Sequence, residues 1–258
     1  MTIAVLPSST FAADPALLTA AERDVLTTVR GPRRRDEWIR GRLAIRCVLR
    51  ARTDLANSTF KHDLLSPGEL NRQDARTPRH QLSELSSNDD APANRFSDED
   101  SLASWRLGGS KLFGWVSLGE LPVSAEASVL VDPDGAPRVV GMPCNVSLSH
   151  DGDWIAVAIT DVRTRIGIDL CLRTHAERVA RILAWLGARD ATSDPVGAWA
   201  ALEAVLKLRR LPIEALRDRT LELESRGDTI VVRGIGSPVD VQLRHHAELV
   251  VGWAQEAA

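Results

Sequence analysis

The chain has 258 residues, a formal net charge of −3, and 44% hydrophobic and 26% charged residues, a composition typical of a globular protein. The negative net charge gives no reason to expect a nucleic-acid partner, and no stretch approaches the roughly 20 apolar residues that a membrane-spanning helix needs. Three widely spaced cysteines suit neither a disulfide framework nor a zinc site, and the N-terminus lacks the segments of a signal peptide. We therefore expect a cytoplasmic protein.

The first 52 residues predict two helices. Residues 15 to 30 follow Asp14, which suits an N-cap, and begin with Pro15 at the first helical position. Residues 33 to 52 place apolar side chains on one side of a second helix. Arginines recur at helical spacing on another side of this helix, at Arg35, Arg42 and Arg46.

The composition changes after the second helix. The stretch from about residue 66 to 103 is polar, acidic and poor in large apolar side chains, so it cannot bury enough surface to offset the entropy of ordering. We predict that it is a disordered insertion rather than a domain. Beyond it, residues 113 to 118 and 126 to 131 predict strands, and Asp132-Pro-Asp-Gly135 predicts a turn.

The second half predicts further helices and strands. Residues 154 to 160 are continuously apolar, which is typical of a strand buried on both faces. Asp194 is predicted to cap a helix that opens with Pro195 and runs to about residue 210. The other predicted elements are a helix at 174–187 and strands at 165–171, 219–225, 228–233 and 247–254. Because both halves contain helices and strands, we predict a two-lobed α/β or α+β chain.

One predicted strand carries an unusual pair of residues. Gly167 interrupts an otherwise apolar strand, and glycine there marks the close approach of a ligand or of another backbone. Asp169 then brings a carboxylate into a strand that should be largely buried. A buried carboxylate is costly unless it is paired or holds a cation.

The helix that follows carries charged groups on one stripe. Trp199, Glu203 and Lys207 stand four residues apart, so they share one line along the helix. A cation such as Mg²⁺ typically binds one or two carboxylates together with substrate phosphates and water. Asp169 and Glu203 could supply the carboxylates, and Lys207 would be a point charge for a phosphate.

Three segments, taken in order, resemble the motifs of the Sfp-type 4′-phosphopantetheinyl transferases. This family shows a Ser-His motif, then (I/V)G(I/V)D, then W-(S/C/A)-x-K-E-(A/S)-x-x-K. The chain has Ser149-His150, Ile166-Gly-Ile-Asp169 and Trp199-Ala-Ala-Leu-Glu203-Ala-Val-Leu-Lys207 at similar spacing. The segments from Arg33 to Ala44 and from Gly135 to Pro137 also resemble the family's basic helix and its Gly-Lys-Pro segment.

The resemblance implies a pseudo-twofold, two-lobed 4′-phosphopantetheinyl transferase fold, with coenzyme A in the cleft between the lobes. The N-terminal lobe would span 1–144, including the insertion, and the C-terminal lobe 145–258 would carry the metal and catalytic motifs. The resemblance implies that Mg²⁺ is held by Asp169 and Glu203. It also implies contacts to the 3′-phosphate of coenzyme A from four residues: Ser149, His150, Arg35 and Arg42.

The implied reaction transfers phosphopantetheine from coenzyme A to a serine of an apo acyl or peptidyl carrier protein and releases 3′,5′-ADP. Glu203, or a water that it holds, would help to deprotonate the serine. Lys207 would neutralise or protonate the leaving phosphate. Family members of this two-lobed length imply a monomer, and the sequence does not identify which carrier protein is modified.

Three departures from the family pattern leave a second hypothesis open. Cys171 replaces the second acid usual after the GID motif, Leu202 replaces the usual Lys before the glutamate, and Ala136 replaces the Lys of Gly-Lys-Pro. The chain could therefore be a catalytically impaired relative that binds coenzyme A or a carrier protein without turnover. An arginine-rich nucleic-acid binder is the least supported hypothesis, because acidic residues outnumber basic ones.

Overall fold

The computed structural model describes residues 1–63, 102–107, 113–117, 127–188 and 193–258. The α-helices within these ranges are α1 (Ala20–Leu26), α2 (Pro32–Asp63), α3 (Ala176–Trp185) and α4 (Pro195–Arg209). The strands are β1 (Thr2–Pro7), β2 (Leu102–Leu107), β3 (Phe113–Ser117), β4 (Val129–Val131), β5 (Pro137–Val139), β6 (Cys144–Asp151), β7 (Trp154–Asp161), β8 (Thr164–Leu172), β9 (Glu222–Arg226), β10 (Thr229–Arg233), β11 (Val239–His245) and β12 (Leu249–Ala257). Apart from residues 102–103, which begin β2, the predicted insertion lies outside the described residues.

The strands form two five-stranded sheets and one small hairpin. The first sheet has the order β3-β2-β1-β7-β6, the second has the order β8-β12-β11-β10-β9, and β4 pairs with β5. Neighbouring strands are antiparallel throughout these sheets. The described chain is therefore a mixed α+β protein, in agreement with the coarser form of the predicted fold class.

The two sheets divide the chain after β7. We call the first sheet with α2 the first lobe, and the second sheet with α3 and α4 the second lobe. The predicted boundary between residues 144 and 145 falls where β6 begins, yet β6 and β7 pair with each other and β7 pairs with β1. Ser149 and His150 therefore belong to the first lobe, across the boundary from Asp169.

Each lobe buries a helix against its own sheet. In the first lobe, Leu43 and Ile45 of α2 share a core with Ile159 of β7. In the second lobe, Leu202 and Val205 of α4 are fully buried. A third apolar cluster, which includes Ile3, Ala156, Ile168 and Trp253, joins residues of β1 and β7 to residues of β8 and β12.

The edges of the two sheets meet through side chains. Alternate residues of β6 accept hydrogen bonds from alternate backbone N–H groups of β8, so two exposed strand edges satisfy each other without direct backbone pairing. We call this row of contacts the seam. Its bonds run from Ile168 N–H to Ser147 Oγ (3.1 Å), from Leu170 N–H to Ser149 Oγ (3.3 Å) and from Leu172 N–H to Asp151 Oδ2 (2.9 Å).

The helix predicted at 15–30 is present only over Ala20–Leu26, so its predicted start and length are wrong. Asp14 accepts a hydrogen bond from Ala16 N–H, but only a 3₁₀ turn, Pro15–Leu17, follows it. Thr19 and Glu22 then form a capping box that begins the short helix α1. Glu22 is fully buried and pairs with Arg46 at 3.2 Å, so its tertiary contacts fix the beginning of α1 beyond the predicted cap.

Other local predictions are confirmed. Asp194 accepts a hydrogen bond from Gly197 N–H at 3.0 Å and caps α4, which opens with Pro195. Gly135 has a φ of +87° in the predicted turn. Strand β7 is buried over six consecutive residues, as predicted for a strand covered on both faces. Among the described residues, no helix is long and apolar enough to cross a membrane.

Candidate functional site

The predicted strand and helix carboxylates lie where β8 faces α4. Asp169 is buried, with 6% of its surface exposed. Its Oδ1 accepts a hydrogen bond from Ser149 Oγ at 2.6 Å and another from Lys207 Nζ at 2.6 Å. Three distant parts of the sequence therefore meet at one carboxylate oxygen, and the charge of Asp169 is balanced by Lys207.

Glycines allow α4 to lie directly on the strands below it. A Cβ atom at Gly167 would lie 1.9 Å from the carbonyl oxygen of Ala204. A Cβ at Gly252, which is opposite Asp169 on β12, would lie 3.0 Å from the backbone of Ala200. The predicted close approach at Gly167 is confirmed as an approach of another backbone, which brings the charged stripe of α4 to Asp169.

The charged stripe of α4 is also confirmed. Trp199, Glu203 and Lys207 are half-buried, while every residue between them on the helix is buried. Glu203 and Lys207 do not pair with each other in the described structure, since Lys207 reaches across to Asp169. The stripe therefore forms the rim of the helix, between the buried face and solvent.

Glu203 carries an unbalanced carboxylate. Burial raises its pKa, the negative charge of Asp169 raises it further, and Lys207 offsets part of the effect. Within the described part of the chain, the carboxylate of Glu203 makes no hydrogen bond. A bound cation or a proton would stabilise a carboxylate in this position.

A cavity of about 210 Å³ is shared by the two carboxylates. Asp169 and Glu203 line it together with Trp199 and His150. Two carboxylates that influence each other, only one of which is paired with an ammonium group, are a donor set that fits a divalent, oxygen-preferring cation. The residues therefore fit the predicted magnesium site.

A second cavity, of about 420 Å³, lies beside the first and contains cationic side chains from α2. Arg33, Glu37, Arg40 and His150 all line it. His150 Nε2 lies 3.1 Å from Glu37 Oε2, and Arg33 Nε donates to Glu37 Oε1 at 2.9 Å. Burial acts to raise the pKa of Glu37, but the hydrogen bonds of Arg33 and His150 outweigh it and the pKa is lowered.

Two predicted arginines do not reach this cavity. Arg35 is exposed near the beginning of α2 and does not line it. Arg42 is buried, with its guanidinium 3.9 Å from the ring centroid of Trp38, and burial lowers its pKa to about 10 despite the opposing charge of Glu22. The structure thus brings together Ser149, His150, Asp169, Glu203 and Lys207, but neither Arg35 nor Arg42.

Sequence reasoning did not single out Arg33 and Arg40, which line the 420 Å³ cavity. The signal was present, because Arg33, Glu37 and Arg40 follow one another at intervals of four and three residues and so share a helix face. The sequence alone does not show which side of α2 buries its basic residues. Arg42 and Arg46 lie on that buried side.

A third and larger cavity, of about 670 Å³, runs between the lobes past the end of the seam. Gly135, Ala136 and Ser147 line it from the first lobe, and Lys207 and Arg210 line it from α4 and its C-cap. Arg210 Nη1 lies 3.0 Å from Asp134 Oδ2, so one ion pair already bridges this groove. The groove leads to Lys207 from the side opposite the carboxylate Glu203, which lines the 210 Å³ cavity instead.

The departures from the resembled pattern have clear structural settings. Leu202, which stands in place of a lysine, is completely buried and lines none of the three cavities. Cys171 is 2% exposed and lines the 210 Å³ cavity. Its neighbours there include Asp151 and His175, two residues that the sequence had not marked. No protein-family model matches the chain, and a search of curated proteins found no match either.

Proposed function

We propose that this protein is a Mg²⁺-dependent 4′-phosphopantetheinyl transferase. It would move phosphopantetheine from coenzyme A to a serine of an apo acyl or peptidyl carrier protein and release 3′,5′-ADP. The observation that carries the proposal is that Asp169 and Glu203 line one cavity while Lys207 contacts Asp169 at 2.6 Å. These are the three residues on which the sequence resemblance places metal binding and catalysis.

The architecture supports the same proposal. Two antiparallel sheets, each covered by a long helix, meet at their edges and leave cavities along the junction. Such an arrangement suits a pseudo-twofold fold that binds coenzyme A between its lobes. On this proposal the 420 Å³ cavity receives the 3′-phosphate of coenzyme A, with Arg33, Arg40 and His150 as donors in place of Arg35 and Arg42.

Asp169 and Glu203 would hold Mg²⁺, which supplies positive charge beside the diphosphate of coenzyme A when it is bound. Glu203, or a water that it holds, would accept the proton of the carrier serine. Lys207 would exchange its contact with Asp169 for the leaving phosphate. Ser149 would position Asp169 through its 2.6 Å hydrogen bond rather than bind phosphate itself.

The test is incubation with coenzyme A, Mg²⁺ and a panel of apo carrier proteins, followed by intact mass measurement of each carrier. We expect one phosphopantetheine adduct per carrier with the wild-type protein. Glu203→Gln should lower the rate at least about a hundredfold, as expected for loss of a general base. Glu214→Gln changes an exposed glutamate that lines none of the three cavities and should keep the wild-type rate. Absence of any adduct across the panel would contradict the proposal.

The alternative is a relative that binds coenzyme A or a carrier protein without turnover. The observation that favours it is that Leu202, at the position of the family's lysine, is fully buried and contributes no cation to the carboxylate cavity. Calorimetric binding of coenzyme A without adduct formation would support this alternative. Turnover that Glu203→Gln abolishes would rule it out.

A further inference from the structure

Three metal-ligating side chains form a cluster that has no part in the proposed transfer reaction. Asp151, Cys171 and His175 each offer one ligand atom, and these atoms all lie within 4.8 Å of one another. They come from the end of β6, from β8 and from the 3₁₀ turn Arg173–His175. All three residues also line the 210 Å³ cavity, so an ion from solvent has space to reach them.

One ligand pair of the cluster has a separation compatible with a shared ion. Asp151 Oδ2 lies 3.0 Å from His175 Nδ1, and the oxygen and nitrogen ligands of one tetrahedral zinc ion stand about 3.3 Å apart at normal bond lengths. The Asp151 carboxylate is oriented by the seam, because Oδ2 also accepts the N–H of Leu172 at 2.9 Å. Cys171 is held in the regular strand β8, opposite Val250.

The surrounding charge favours a cation. The carboxylates of Asp151 and Glu203 line the cavity beside Cys171, and the guanidinium of Arg178 lines it with them. The carboxylate of Asp169 is also there, but Lys207 balances its charge. A divalent ion bound by a thiolate would bring the cluster closer to neutrality.

We propose that Asp151, Cys171 and His175 bind a late first-row divalent cation of the zinc class. Three protein ligands leave a fourth position for water or another small ligand. Thiolate and imidazole favour Zn²⁺ and Co²⁺, whereas Mg²⁺ prefers oxygen, so this site differs in chemistry from the Asp169–Glu203 pair. Binding releases the thiol proton to solvent, and the site does not depend on transferase activity.

Cysteine spacing alone gives no indication of a zinc site, because it considers only cysteine ligands. The three cysteines do not come together, but Cys171 meets a histidine four residues later and an aspartate from another strand. A C-x₃-H spacing was therefore the available signal. The aspartate could be found only from the tertiary structure.

Co²⁺ is the probe that tests the site. We expect Co²⁺, added to the chelator-treated full chain, to produce a thiolate-to-cobalt charge-transfer band that saturates at one ion per chain and is abolished by added Zn²⁺. Cys171→Ser should remove this band. His175→Ala, at a half-buried position that tolerates truncation, should weaken Co²⁺ binding at least about tenfold, the loss typical even for residues that only support a metal ligand.

Cys144→Ser is the matched control, because Cys144 is half-buried and does not line the cavity. It should keep the full band and the wild-type affinity. Circular dichroism of each variant shows whether the fold is retained, and the His175→Ala measurement stands if Cys171→Ser unfolds the chain. The proposal is overturned if the wild type gives no thiolate band, if the band persists in folded Cys171→Ser, or if His175→Ala binds as tightly as the wild type.

Discussion

Glu203 lies in an environment that is unfavourable to its own charge. Its carboxylate is half-buried, faces Asp169 and has no hydrogen bond within the described structure, while the only nearby ammonium group contacts Asp169 instead. Residues with such unbalanced charge reduce stability and are retained where function needs them. This view leads to a prediction about stability that is independent of any enzymatic assay.

Glu203→Gln should raise the melting temperature at neutral and alkaline pH. Burial and the charge of Asp169 raise the folded-state pKa of Glu203 above its unfolded value, so ionisation of this group opposes folding. The stability that the protonated form provides is complete below the unfolded pKa and is lost as pH rises through the folded pKa. The increase in melting temperature over the wild type should therefore be near zero at acidic pH and grow toward pH 8. Melting curves of both proteins across this pH range test the prediction. A melting temperature of Glu203→Gln below that of the wild type at pH 8 would contradict it.

The two seam serines offer a matched pair. Ser147→Ala and Ser149→Ala each remove the acceptor of a buried N–H group in β8, so each should cost about 1–3 kcal/mol of unfolding free energy in denaturant titrations. Only Ser149 also donates to Asp169. Ser149→Ala should therefore lower the rate of adduct formation as well, while Ser147→Ala leaves it unchanged. Equal rates in the two variants would show that Ser149 does not position Asp169.

The sequence predicted those site residues that are related by their spacing along one helix. Glu203 and Lys207 lie on one helix, and their spacing alone gives their shared stripe. Arg35 and Arg42 lie outside the 420 Å³ cavity, because the side of α2 that faces the core depends on packing against β6 and β7. Buried contacts of Arg42 with Trp38 could not be inferred from spacing.

The element on which the site depends is α4, and its position is set by the glycines beneath it. Gly167→Ala would place a methyl group 1.9 Å from the Ala204 carbonyl oxygen, so α4 must move away from β8. We expect the unfolding free energy, measured in denaturant titrations, to fall by about 1–3 kcal/mol, as for overpacked cores. Adduct formation should fall with it, because Glu203 and Lys207 move away from Asp169.

Gly252→Ala is the graded comparison for this prediction. It also lies under α4, but its nearest backbone atom would be 3.0 Å away, so its cost should be smaller than that of Gly167→Ala. The account of α4 is wrong if Gly167→Ala is as stable as the wild type or if Gly252→Ala costs more. Stability and rate should fall in the same order across the two variants.

Elements with strong local signals were predictable, and the others were not. The cap at Asp194 and the apolar run of β7 each carry their signal within a few residues. Strands β1, β2, β5, β6 and β11 were not predicted, and β2 begins at residues 102–103, within the predicted insertion. In β6, alternate polar side chains are buried because they bond to β8 across the seam, and this pairing of distant edges leaves no local pattern.

For the whole molecule, the sequence predicted the mixed class and two lobes but placed the boundary one hairpin too early. The hairpin β6–β7 completes the first sheet, and which sheet a hairpin joins is decided by long-range pairing. The seam between the two sheet edges is likewise a product of tertiary structure. It is also what places His150 and Asp169, from different lobes, at one cavity.

Deletion of residues 70 to 100 tests the prediction that this segment is an insertion rather than part of a domain. These residues lie outside the described part of the chain, and their polar, acidic composition offers little apolar surface to a core. We expect the deleted protein to keep a melting temperature close to that of the wild type and to keep its rate of adduct formation. A large fall in melting temperature would show that the segment contributes to the core.

In the proposed function, Asp169 and Glu203 hold the same divalent ion. The most direct measurement is binding of Mn²⁺, an oxygen-preferring substitute for Mg²⁺, by electron paramagnetic resonance in the presence of coenzyme A. We predict one Mn²⁺ per wild-type chain, at least about tenfold weaker binding in Asp169→Asn and in Glu203→Gln, and unchanged binding in Glu214→Gln. Wild-type affinity for Mn²⁺ in either cavity variant would contradict the account.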